Sequence, residues 1–489
     1  MRGIRRPAGA SLLLRAAVAI ALVGTVLVVA ASIALPRNRA GAGPTSPAPT
    51  SEGFDWSTAS RPAVRPATLS IGVTHTQYSI DDWGDPAALA SAKQVLAATA
   101  SYQNQHIFGW GALNPEPAPR RYDWASLDRR MALIAESGGV PVITLCCAPD
   151  WMKGGRPGQT DWQRLHVAPR PEHYGDFAAL AVTVARRYPQ VRHYLVWNEM
   201  KGFWDNSRNR WNYEAYTELY NAVYDALKAA VPGVSVGGPY VVMDLWAAPT
   251  AGGRPSTLAG ACGTVDQRSL DVIEYWLRNK HGADFVAVDG GTLTRDAGEV
   301  GSASARSAVF GGLTRWLRQR TDLPVWWSEF HVGRDGAGDT PELVASAVGA
   351  MLHMADERAA VALLWQPQLG TRDDRAPALW SSTERAGGGR PLPLAEATAR
   401  LQRLLAAAGA ADAVSWPVPE VGAVRGGDAL LLVNTSDRVR EVRMSGMTLR
   451  LRPYEMRYTT LPPGAPAAPP SWWTPAIDEC VTERTGQPR

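Results

Sequence analysis

Eight short apolar runs, each followed by a helical pattern, predict an α/β chain closed into a (β/α)8 TIM barrel with a small C-terminal β-sandwich. Three observations carry this. The runs are rich in β-branched residues, and the segments between them keep helical spacing. Eight such units over about 340 residues suit a barrel that typically takes about 250 before insertions. No Gly-x-Gly-x-x-Gly or phosphate loop follows the first run, where the competing open doubly wound sheet would usually carry one.

The runs are Leu69 to Thr76, Gln105 to Trp110, Val140 to Ala148, His193 to Glu199, Ser235 to Val242, Asp284 to Asp289, Pro324 to His331 and Val361 to Gln366. Asp85-Pro86 and Thr340-Pro341 read as helix N-caps with Pro in the first turn, and Gly138-Gly139 reads as a helix stop. Phe177, Leu180, Ala181, Val184, Ala185 and Tyr188 repeat every three and four residues, the pattern of a helix buried on one face. After a helix over Leu394 to Ala408, alternating runs around Ala429 to Val433, Val439 to Met444 and Thr448 to Tyr458 predict the sandwich.

The domain order read from this is a membrane-directed segment over 1–36, a flexible linker over 37–66, the barrel over 67–410, the sandwich over 411–461 and a Pro-rich tail over 462–489. Arg2, Arg5, Arg6 and Arg15 precede an uncharged run from Ala16 to Leu35, about 30 Å of helix, the thickness of a bilayer's hydrocarbon. Positive charge before the run keeps the N-terminus cytoplasmic, so the rest is expected outside, anchored by a single transmembrane helix. Cleavage near Ser32-Ile33-Ala34, which would release a secreted protein, is the alternative.

Composition narrows the function. The net charge of +4 arises from six Arg and no acid in residues 1–40; the remainder carries 44 basic and 46 acidic residues, which excludes a nucleic-acid stripe. Four Cys and eight His, without Cys-x-x-Cys or His-x-His, supply no usual metal set, and neither metal nor cofactor is expected. Cys146-Cys147 falls within the third run, where neighbouring side chains point to opposite faces, so both are expected as unbridged packing. Cys262 and Cys480 are the pair left, either a staple of the tail onto the barrel outside the cell or two free thiols. Nineteen Trp point to carbohydrate, whose C–H faces stack on indole.

Active sites of such barrels lie at the carboxyl ends of the strands. The fourth run closes on Trp197-Asn198-Glu199 and the seventh on Trp327-Ser328-Glu329. Two opposed carboxyls across the mouth are what glycosidic bond hydrolysis needs, one protonated to release the leaving oxygen and one ionised to attack or activate water. A Glu at one strand end carries little weight alone; two, on these strands, carry much more.

These two motifs resemble the signature of clan A retaining glycoside hydrolases. Trp110-Gly111-Ala112-Leu113-Asn114-Pro115-Glu116, followed by Tyr122-Asp123-Trp124, is similar to their second-strand loop, and the appended sandwich most resembles family 39, the β-xylosidase and α-L-iduronidase family. The resemblance covers about residues 69 to 460. It implies Glu199 as general acid/base, Glu329 as nucleophile, Asn198 on a sugar hydroxyl, Trp365 as an aromatic floor and His75 on a further hydroxyl. Trp110 and Trp151 either line the cleft or pack between barrel and helices, and Trp204 is either an outer sugar platform or loop core. The partner is then an oligosaccharide or polysaccharide; loop lengths suggest a pocket narrowed by the insertion from Trp246 to Asp266, a hint toward exo action with endo action left open.

Two positions depart from the clan's pattern. His106 stands where these enzymes usually carry Arg, and Val286-Ala287-Val288-Asp289-Gly290-Gly291 offers no aromatic hydrogen-bond donor for the nucleophile. Asp289 instead threatens to add a negative neighbour, with His331 as a compensating residue. These departures favour an alternative reading, a catalytically weak or silent carbohydrate-binding protein of the cell surface.

Overall fold

The computed structural model of the chain describes residues 69–77, 84–248, 252–333, 339–369, 377–408, 414–444, 447–460 and 482–483. The barrel strands are β1 (Ser70–Thr74), β2 (Tyr102–His106), β3 (Val140–Leu145), β4 (His193–Val196), β5 (Ser235–Val242), β6 (Phe285–Gly291), β7 (Val325–His331) and β8 (Val361–Trp365). Each pairs in parallel with its sequence neighbours, and β1 also pairs with β8, which closes the cylinder. One helix follows each strand: α1 (Pro86–Thr99), α2 (Ala125–Glu136), α3 (Tyr174–Arg187), α4 (Tyr213–Ala230), α5 (Gln267–Asn279), α6 (Ala303–Arg318), α7 (Pro341–Asp356) and α8 (Pro393–Ala408). The expected caps are present. Asp85 accepts from the amides of Ala87 and Ala88, and Thr340 from that of Leu343, each satisfying donors that a helix start leaves unpaired. Gly138 takes φ +71° after α2, a left-handed turn that costs glycine no Cβ clash.

The second strand lies earlier than its expected place at Gln105 to Trp110. β2 reads Tyr-Gln-Asn-Gln-His, too polar for a hydropathy reading, because its side chains wire the barrel interior together. Asn104 donates to the Thr74 hydroxyl and accepts from that of Thr144, and the Thr74 hydroxyl donates onward to the Ser328 carbonyl. The lower interior is apolar. Trp326 stacks on Phe285 at 4.1 Å, with Val142, Leu195, Ala287 and Leu363 around them.

After α8 come β9 (Val414–Val418), β10 (Val421–Gly426), β11 (Ala429–Asn434), β12 (Arg440–Met444), β13 (Met447–Leu451) and β14 (Met456–Thr460). The sheet β9-β10-β11-β14 faces the hairpin β12-β13 across a small core of Val421, Ala423, Leu430, Leu432, Val442 and Leu451. Its other face, with Val424, Leu431 and Val433, joins the main core. A six-stranded sheet covers the carboxyl ends of β5 and β6, ordered 298–299, 293–294, 245–246, 263–265, 258–260, 482–483. The insertion expected to narrow the cleft thus forms its centre.

One expectation is overturned. Cys146 and Cys147 are bonded to each other across a cis peptide, not merely packed. They lie just past the last residue of β3, where the alternation that would part them no longer applies. Cys262 is also disulfide-bonded. Its expected partner, Cys480, lies outside the described residues, as do the expected transmembrane helix and linker. Among the described residues no helix is long and apolar enough to cross a membrane.

Gly72 fixes the closure of the cylinder. A Cβ there would sit 2.0 Å from the Tyr102 carbonyl oxygen and 2.9 Å from Leu363, between its two partner strands. Gly72→Ala is therefore expected to cost at least about 3 kcal/mol. Gly175→Ala, in α3 with open space around it, should leave the melting temperature unchanged or slightly raised. Parallel thermal melts check both, and a Gly72→Ala protein as stable as wild type would contradict this packing.

Candidate active site

Regular alternation along β7 would send Glu329 the wrong way; a backbone irregularity brings it in. On β7, Trp326 faces the barrel interior and Trp327 faces out, its indole donating to the Thr314 hydroxyl of α6 at 2.9 Å. An unbroken strand would then turn Glu329 outward. Between β6 and β7 the register slips, from Val288 opposite Trp327 to Asp289 opposite Glu329, so Ser328 is an extra residue and Glu329 swings back inward. A matching slip between β5 and β6 makes Tyr240 the extra residue. After β4, Trp197, Glu199 and Met200 take φ of 70°, 50° and 56°, a left-handed path that L residues rarely adopt and that aims Glu199 at the mouth. Trp197 anchors this path: it is fully buried against Phe177 and Phe203, and its indole donates to the Lys201 carbonyl at 2.7 Å.

The two glutamates meet. Glu199, Asp289 and Glu329 each bring one carboxylate oxygen within 4.8 Å of the others. Tyr240 donates its hydroxyl to Glu329 in a short hydrogen bond, so the donor expected from β6 comes from β5 instead. Lys201 completes the group. Its ammonium lies against the Glu199 carboxylate and 5.2 Å from the centre of the Trp110 ring.

Burial dominates the electrostatics. It lifts Glu329 well above the carboxylate range, and the Asp289 charge lifts it further, while Lys201 and the Tyr240 hydrogen bond act downward. Asp289 is raised to about 6 by burial, opposed by His331 and Lys201. Burial lowers the Lys201 ammonium, against the attraction of Glu329 and Asp289. His106 falls to about 3 on burial and is neutral near pH 7, so the position where a fixed positive charge was looked for carries none.

The other expected residues divide. Asn198 is buried beside Glu199, its amide 3.4 Å from the carboxylate, and its side-chain oxygen has no hydrogen-bond partner among the described residues. Trp110 is half-buried, stacked on His106 at 4.1 Å and facing Lys201, so it borders the group. Trp365 ends β8 half-buried, in register with Thr74. His75 is buried, lies 3.1 Å from the Gln103 side chain, and is lowered to about 4 by burial and the Arg130 charge. Trp151 is half-buried, its indole donating to the Glu116 carbonyl at 3.0 Å and its edge meeting His173. Trp204 is 37% exposed on a short hairpin, edge-on to Trp211 with the Arg268 guanidinium 5.0 Å away. Tyr240 and Lys201 were not anticipated as site residues. The cue to Tyr240 was Gly238-Pro239, which breaks a central strand just before it.

No profile of a known protein family matches the chain. Among solved structures, it is similar to a monomeric β-xylosidase from Caulobacter crescentus CB15, with 20% identity, a TM-score of 0.50, and 76% of this chain and 75% of that one covered. It is similar also to a family 39 glycoside hydrolase from the gut symbiont Bacteroides cellulosilyticus WH2, at 15% identity and a TM-score of 0.53, with 81% of each chain covered. A curated β-galactosidase LacZ from Heyndrickxia coagulans is 25% identical over 134 residues, a match spanning 20% of that enzyme's length. These likenesses show the fold, a (β/α)8 barrel shared with solved structures that include family 39 glycoside hydrolases.

Asp289 offers a direct check on these electrostatics. A carboxyl raised from 3.8 to about 6 on folding favours the native state below its unfolded value, and this advantage is lost as pH rises through that window. Asp289→Asn is therefore expected to stabilise the protein at pH 7.5, by something on the order of 1–3 kcal/mol, and to have little effect at pH 4. Thermal melts at the two pH values decide. A variant less stable than wild type at pH 7.5 would refute the assignment.

Proposed function

We propose that the chain is a retaining glycosidase that hydrolyses O-glycosidic bonds of β-xyloside-like or related glycans by double displacement, with the catalytic barrel outside the cell. The observation that carries this reading is the approach of Glu199 and Glu329 to within 4.8 Å, oxygen to oxygen, across the barrel mouth. That closeness suits double displacement, in which one carboxylate attacks the carbon whose leaving oxygen the other protonates.

In the first step the Glu329 carboxylate attacks the anomeric carbon while Glu199 gives its proton to the departing glycosidic oxygen. The C–O bond to the aglycone breaks and a glycosyl ester on Glu329 forms. In the second, Glu199, now ionised, takes a proton from water, whose oxygen attacks the same carbon and frees Glu329. The Tyr240 hydroxyl, already bonded to Glu329, stabilises its ionised form between turnovers. Asn198 and Trp365 would bind the sugar in this reading, with Trp110 at its edge.

Disulfide bonding at Cys146–Cys147 and at Cys262 supports an oxidising location, since bonds of this kind are rare in the cytosol. With it goes attachment through the apolar segment from Ala16 to Leu35, or secretion if that segment is removed. The second reading, a silent sugar-binding protein, draws on one observation: Lys201 lies on the very carboxylate that must deliver a proton.

Aryl β-D-xyloside, α-L-arabinoside, β-D-glucoside and β-D-galactoside separate the two. Turnover of one of them is expected, with Glu329→Ala lowering kcat by at least about 10⁴-fold. Glu199→Gln should lose about 10²- to 10⁴-fold on poor leaving groups and far less on dinitrophenyl glycosides, which need no acid. Binding without turnover of any glycoside would favour the silent protein.

A further inference from the structure

Three carboxylates within 4.8 Å of one another, two of them buried, cannot all be ionised without a cation among them. The chain brings its own. Lys201 reaches in from the loop after β4, touches Glu199, and is held over the Trp110 ring, with its side chain 34% exposed at the mouth. We propose that Lys201 is a positioning residue that exists because Asp289 does: its ammonium is the internal counter-ion that lets Glu329 carry a negative charge beside Asp289. This rests on the reading of Glu329 as nucleophile.

The surroundings single out Lys201 for the role. From β5, Tyr240 gives Glu329 a hydrogen bond but no charge. From the end of β7, His331 faces Asp289, but burial keeps its ring below the ordinary histidine value. Arg295, from the small sheet, is paired at 3.5 Å with Asp244, whose own charge opposes it. On the far side of Trp110, burial lowers both His106 and His166 to about 3, so neither is charged near neutrality. Lys201, in contact with Glu199 inside the three-carboxylate group and drawn toward its charged form by Glu329 and Asp289, is left as the cation acting on both. A sugar bound over Glu199 would also have to share or displace its ammonium, so substrate binding and the charge of the nucleophile are coupled through one side chain.

The test is a double-mutant cycle read by pH profile. Removing the cation makes Glu329 harder to ionise, so Lys201→Met should move the acid limb of kcat/KM at least one unit to higher pH. Asp289→Asn removes the opposing charge and should move it lower. Together they should return the limb to within about half a unit of wild type, and Lys201→Arg alone should keep it there. A Lys201→Met enzyme with an unmoved acid limb and only a raised KM would make Lys201 a simple sugar contact and overturn the proposal. So would failure of Asp289→Asn to compensate. If wild type turns over no glycoside, the functional reading fails and melting decides the charge claim. Lys201→Met should then lower the melting temperature more at pH 8 than at pH 5, and Asp289→Asn should abolish that difference. A pH-independent loss would overturn the proposal.

Discussion

Mutual repulsion among buried carboxylates is the constraint on which the mouth of this barrel is built. Water would screen such charges, but Asp289 and Glu329 are nearly closed off from it and have only protein dipoles and one ammonium to balance them. The Tyr240 hydroxyl, the Lys201 ammonium and the His331 ring each oppose part of that cost. The site therefore stores an unfavourable interaction that the rest of the fold must stabilise. This is how a nucleophile can be kept unsolvated and reactive at a barrel's carboxyl face.

The scaffold meets that demand by rigid backbone placement. Slips in register on either side of β6 place Tyr240 and Glu329, and a left-handed turn after β4 places Glu199. The departures at Glu329 and Glu199 are each braced by a fully buried indole, Trp327 through Thr314 and Trp197 through the Lys201 carbonyl. Below the acids, the girdle of Thr74, Asn104 and Thr144 ties β1, β2 and β3 together, and the Trp326 and Phe285 stack closes the interior. Much of the chain's high Trp content thus goes to support. Trp110 borders the acidic group through Lys201.

How much of this was legible in the sequence depended on whether the signal was a pattern or a break in one. The runs that became β5, β7 and β8 kept the hydropathy expected of buried parallel strands, and the glutamates could be found because they end such runs. β2 could not be placed that way, because its Gln and Asn side chains are satisfied by partners distant in sequence. The direction of Glu329 was right for a reason that alternation alone would deny, since a strand without the extra Ser328 would have turned it outward. Tyr240 and Lys201 lay hidden because their roles depend on backbone twists and through-space charge, which no local spacing encodes. The Cys146–Cys147 bridge was missed because the pair was assigned to a strand that ends one residue before it.

The asymmetry between the two glutamates gives the reading its content. Glu329 is deep and hydrogen-bonded by Tyr240; Glu199 is nearer the solvent, in contact with Lys201 and beside Asn198. Asp289 is close enough to compete for the same anomeric carbon. Mechanism-based trapping separates them: a panel of 2-fluoroglycosides with activated leaving groups, followed by digestion and mass spectrometry of the labelled peptide. A single glycosyl ester on Glu329 is the predicted result. A label on Asp289 or Glu199, or none from any sugar in the panel, would contradict the account.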